Sequence, residues 1–163
     1  MTVINGLILT LMLSAAAGLL ACFAGRLLGK CLMLVQKGGL EERTDIYNVV
    51  NAVNVFFKFI PYILLLLLLN ISLKEHLGKP YIIAISIFFE LLPIFTFSVY
   101  KAMNKVPRDV IDAAVAMGSD PDEIIELFVL PEVRYEVRNE TARALFYGLL
   151  CTLGAYLWLA LMG

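Results

Sequence analysis

Charge is what this sequence has least of. Only 17% of its 163 residues are Asp, Glu, Lys or Arg, and there is one histidine. Soluble domains carry about a quarter charged residues, so most of this surface is not built for water. The net charge of −1 and the absence of a basic tract speak against a nucleic-acid partner. Cys22, Cys31 and Cys151 form no CxxC or paired spacing, so neither a disulfide framework nor a metal site is expected. No nucleophile–base pair, paired carboxylates or metal spacing occurs in the apolar stretches, and no covalent chemistry is expected. The first twenty-odd residues lack a basic leader and a small-residue cleavage site, which points to a retained helix.

What is present is apolar: 61% hydrophobic residues and a mean hydropathy of +0.85. Spanning a bilayer takes about 20 such residues in a helix. Four segments satisfy this, residues 6–28, 54–73, 81–100 and 144–162. The expected fold is therefore all-α, a polytopic membrane domain of about four transmembrane helices over residues 1–163.

The polar stretches between the spans are unequal in charge. Arg26, Lys30, Lys37 and Arg43 flank the first, and Lys101, Lys105, Arg108, Arg134, Arg138 and Arg143 belong to the third. The second holds only Lys74 and Lys79. By the positive-inside bias, loops one and three are expected in the cytoplasm and the N-terminus outside.

The third loop reads as a helical hairpin over residues 107–131. Pro107 suits a first helical turn, Val110, Ala113, Ala114 and Met117 recur at helical spacing, and Gly118 suits a left-handed residue after the helix end. Asp120 then offers an N-cap, Pro121 a first residue, and Glu123 the partner of a capping box. Ile124, Ile125, Phe128 and Leu127 supply an apolar face, and Pro131 is expected to end the helix near Leu130. Spacing alone leaves open whether this hairpin does anything but connect two spans.

Its residues carry a resemblance. Asp112-Ala113-Ala114, then Gly118, then nine residues, then Phe128-Val129-Leu130-Pro131 resembles the signature E-A-A-x-x-x-G…I-x-L-P of type I ATP-binding-cassette importer permeases. Asp112 replaces the signature Glu and Phe128 its Ile. The likeness extends from about Tyr47 to Val133 and is greatest to methionine-importer permeases, whose second span Phe57-Lys58-x-x-Pro61 resembles with Lys for the usual Arg.

The resemblance implies that Asp112, Ala113, Ala114, Gly118, Phe128, Leu130 and Pro131 form a coupling element that rests in a cleft of a separate ATPase. No G-x-x-x-x-G-K-[ST] phosphate loop occurs here, so ATP and its Mg would sit on that partner and no cofactor on this chain. It further implies an ATPase dimer, a second permease copy or another membrane subunit, an extracytoplasmic substrate-binding protein, and a small cargo such as methionine or another amino acid. Methionine-type permeases carry a fifth span, which the sequence to Gly163 does not contain. That leaves two readings: a shortened permease completed by another chain, or a non-transporting adaptor that anchors an ATPase.

Two features within the spans invite assignment. Glu90, three residues before Pro93, is an ionisable group near the middle of a span and should face the bundle or a wet cavity, as a translocation-path residue or a neutralised carboxyl. Ala17, Ala21, Gly25 and Gly29 form a ladder of small residues for close helix packing, within this chain or against a second copy.

Overall fold

A computed structural model describes residues 3–161, which form seven helices with no strand among them. The expected end of the last span at Met162 lies outside the described residues. Helix α1 runs Val3–Val35, α2 Thr44–Phe59, α3 Tyr62–Leu73 and α4 Lys79–Met103. Helix α5 covers Arg108–Ala116 and α6 Pro121–Glu123, which passes through a π-helical turn, Ile124–Val129, into α7, Leu130–Leu161.

Three of these helices are long and apolar enough to cross a membrane, over Ile4–Val35, Lys79–Met103 and Pro121–Ala160. A fourth crossing exists only if α2 and α3 count as one span, because they meet at 90°. The expected span at 54–73 is therefore broken. Ile60 precedes a proline and leaves the helical region, with φ −82° and ψ 116°, and Pro61 then starts α3. Helix α3 alone measures about 18 Å at 1.5 Å per residue, well short of a bilayer core of about 30 Å. Contacts place the break halfway along α4: Tyr47 of α2 lies by Tyr100, and Phe57 stacks on Phe89 with centroids 5.1 Å apart. The Lys58 ammonium sits 5.3 Å from the centre of the Phe97 ring.

The polar stretches also depart from expectation. Helix α1 continues past Leu28 to Val35 because Leu32, Met33 and Val35 find buried partners beyond the lipid-length segment. Its 33 residues make about 50 Å of helix. The charged stretch before Ala144 is the first part of α7 rather than a loop. Charge marks where a helix leaves lipid, not where it stops.

The core is the α1–α4 pair, with α7 packed against both. Ile83, Ile87, Leu91, Phe95 and Val99 of α4 recur every fourth residue and are buried. Gly25 and Gly29 stand directly against α4, and a Cβ on them would lie 3.0 Å from Phe95 Cδ1 and Val99 Cγ1. Ala21 is fully buried, whereas Ala17 is only partly so, and Gly18 meets Leu145 and Leu91. Gly18, Ala21, Gly25 and Gly29 thus pack inside this chain. The buried Ser and Thr hydroxyls need no cross-helix partners, since Ser14, Ser86, Thr96 and Thr152 each donate to the carbonyl four residues earlier, at 2.7–2.8 Å.

Candidate functional site

The hairpin is built around Gly118. Its φ of +81° is left-handed, its N–H donates to the Val115 carbonyl at 3.0 Å, and the Ser119 N–H donates to Ala114 at 3.3 Å. Those are the two bonds of a Schellman C-cap. A Cβ on Gly118 would meet nothing within 4 Å, so the requirement is one of dihedral angle and not of space.

The second arm differs from expectation in two respects. Asp120 stands at the N-cap, but neither a side-chain cap bond nor the expected capping box forms; the Ile124 N–H closes the turn on the Asp120 carbonyl at 2.9 Å. Nor does the helix end at Pro131. The turn Ile124–Val129 widens to π geometry, with the Leu130 N–H reaching Ile125 five residues back. A proline clashes with the carbonyl four residues before it, and the wider turn removes that clash while the axis continues into α7.

The apolar face of the first arm is also turned from the expected one. Ile111 and Ala114 are buried, and Ala113, Val110, Val115 and Met117 face outward, Met117 at 67% exposure. In the second arm Ile124, Ile125 and Val129 are buried, Phe128 and Leu130 are partly so, and Leu127 and Pro131 are exposed. The hairpin therefore anchors itself through Ile111, Ile124, Ile125 and Val129 and leaves another apolar set uncovered. Asp112 is exposed on the rim of a 200 Å³ cleft shared with Arg108, Gln36, Gly38 and Asn104.

Sequence reasoning missed the residues that fasten this hairpin. Lys30 Nζ lies 3.0 Å from Asp122 Oδ1 and 2.8 Å from Glu126 Oε1. Arg108 Nη1 donates to the Gly38 carbonyl at 2.8 Å. Tyr100 donates to Gln36 at 2.7 Å, and Gln36 to Asn104 at 3.0 Å, tying the ends of α1 and α4. These partners are 64 to 96 residues apart, so no local pattern could announce them.

Glu90 lies far from the hairpin, half-buried on α4 and facing α3 and α7, where Tyr62, Tyr147 and Cys151 are its electrostatic neighbours. The Tyr62 hydroxyl is buried and makes no hydrogen bond among the described residues. Pro93 is buried within an otherwise continuous α4. Tyr62 and Cys151 also line a largely apolar groove of 280 Å³ between α3 and α7, with Leu66, Gly154 and Trp158.

Long apolar helices, with a fastened hairpin before the last of them, define a multi-pass helical membrane protein. The sequence pattern of the binding-protein-dependent transport system inner membrane component family matches residues 39–135, and the chain belongs to that family. It is 27% identical over 128 residues to the D-methionine transport system permease protein MetI of Yersinia pestis, and 25% identical over 133 residues to that of Escherichia coli K12. These alignments cover 76% and 79% of this chain but only 58% and 61% of the relatives. The fold is similar to a chain of the MetNI methionine ABC transporter solved in inward facing conformations, with a TM-score of 0.79 and 22% identity over 91% of this chain and 70% of that one.

Proposed function

We propose that the protein is the permease subunit of an ATP-binding-cassette importer and that its hairpin, residues 107–131, docks on a separate ATPase. The observation that carries this reading is the hairpin itself: a Gly118 turn inside the family's matched region, anchored by Ile111, Ile124 and Ile125, with Met117, Leu127 and Val115 left uncovered. An exposed apolar set on a polar loop marks a surface for another protein. The ten basic residues around loops one and three support a cytoplasmic hairpin, where an ATPase is found.

A dimer of ATPases on a pair of permease copies, served by an extracytoplasmic binding protein, is the assembly that follows. Methionine or a related amino acid is the proposed cargo, supported by the names of the relatives. Glu90, with Pro93 a turn away and Tyr62 and Tyr147 within its electrostatic reach, is the proposed polar point of the translocation path. Ionisable groups in spans mark such paths.

The test is reconstitution of the co-purified ATPase complex in vesicles with labelled methionine and ATP. ATP-dependent accumulation is expected; association with the ATPase but no accumulation of any amino acid tested overturns transport. Met117→Glu should weaken ATPase binding roughly tenfold or more, because docking would bury an uncompensated charge, while the unfolding temperature of the isolated chain stays unchanged. Binding by titration and a thermal melt decide the matter together.

A further inference from the structure

We infer that Lys30 is a positioning residue that clamps the hairpin to the end of α1, so that movement of the hairpin is passed to α1 and α4 as well as to α7. This rests on the permease reading for its function, but the clamp is a matter of geometry. One ammonium holds two carboxylates four residues apart, Asp122 at 3.0 Å and Glu126 at 2.8 Å. Its own side chain is 18% exposed, while those of Asp122 and Glu126 are 74% and 63% exposed. The lysine is thus the inner, fixed member, and the acids reach in to it from the hairpin.

The place of Lys30 in α1 gives the clamp its reach. It follows Gly29, whose Cα face lies so near α4 that a Cβ would be 3.0 Å from Val99 and 3.1 Å from the Thr96 carbonyl. Helices in such contact move together, because close-packed interiors shift as units. The other arm of the hairpin is held by the same region, through Arg108 on the Gly38 carbonyl at 2.8 Å. The two arms are therefore fastened to α1 and the segment following it, while the second arm alone continues into α7.

Without Lys30, displacement of the second arm reaches α7 through the π-helical turn, and the ionic tie of that arm to α1 is lost. With it, the second arm also pulls on α1 and, through the close Gly29 contact, on α4. Pairs as exposed as these add little to stability, so the effect of losing them is on where the hairpin sits and not on whether the bundle folds.

Amide hydrogen exchange of the whole protein in nanodiscs tests the clamp without reference to transport. Lys30→Met should raise exchange over residues 121–129 about tenfold, leaving α4 unchanged, and Lys30→Arg should stay within twofold of the parent. In the assembled transporter, Lys30→Met should retain ATPase binding and most ATP turnover but lower substrate uptake per ATP about fivefold. Lys30→Glu should be worse, and combining it with Asp122→Lys and Glu126→Lys should recover at least half of the ratio. Unchanged exchange over 121–129 in Lys30→Met overturns the clamp, and an unchanged uptake-to-hydrolysis ratio overturns its role in transmission. A parent complex that takes up nothing overturns the permease reading and the transmission role that rests on it, whereas the exchange result still decides the clamp.

Discussion

Gly25→Leu should force α1 and α4 apart and lower the unfolding temperature of the chain by about 10 °C. A Cβ at Gly25 lies 3.0 Å from Phe95 Cδ1, 3.1 Å from the Thr96 nitrogen and 3.2 Å from the Leu92 carbonyl oxygen. Two of those three atoms are backbone, which cannot swing aside as a side chain can. Ala would require the helices to give by a few tenths of an ångström. Leu requires them to separate, and overpacking of this kind costs about 3 kcal/mol or more. For a chain of this length that corresponds to a fall in unfolding temperature of about 10 °C. The control is Gly154→Leu in α7, at an exposed position where a Cβ meets nothing within 4 Å. It should leave the melting temperature where it was. Equal behaviour of the two variants, by fluorescence-monitored melting in detergent, would show that close approach at Gly25 is not what holds the bundle.

Gly118→Val should release the hairpin turn while the spans stay folded. The left-handed φ of +81° costs an L-residue about 1–2 kcal/mol, and more for a β-branched one. Two backbone hydrogen bonds depend on that angle, from Gly118 to Val115 and from Ser119 to Ala114. Their loss turns the second arm away from the first and scatters the exposed Met117 and Leu127. ATPase binding is expected to fall at least tenfold, with little change in melting temperature. Gly118→Asn separates the explanations: Asn tolerates the left-handed region, and open space surrounds the site, so binding should stay within about threefold of the parent. An Asn variant as poor as Val would mean that the hairpin needs an unobstructed surface at Gly118 rather than its angle.

The sequence made the apolar helices and the hairpin legible for physical reasons that are local. Hydropathy reports burial in lipid directly, and a glycine flanked by helical periodicity reports a turn. What stayed hidden was non-local or cooperative. Pro61 is plain in the sequence, but a proline within an apolar run does not by itself tell a kink from the 90° break that its effect on Ile60 produces. Pro131 suggested a helix end, and six residues of π-helix absorbed it instead. Helical spacing gives α5 an apolar face through Val110, Ala113, Ala114 and Met117, while the bundle buries Ile111 and Ala114. Periodicity admits either set in a helix of nine residues, and only the position of α1 and the π turn decides. Lys30 is one basic charge among ten in the sequence, and its two partners lie 92 and 96 residues away.

The widened turn between α6 and α7 fixes something finer than the path of the chain. A π turn differs from an α turn by about one residue, and one residue of α-helix is about 100° of rotation and 1.5 Å of rise. The orientation of the hairpin about the axis of α7 is therefore set by a single residue's worth of register between Ile124 and Val129. Deleting Leu127 there would keep every other side chain and leave the hydropathy pattern almost unchanged. It would also swing Asp122 and Glu126 about a quarter turn away from Lys30 and aim Met117 at a different part of space.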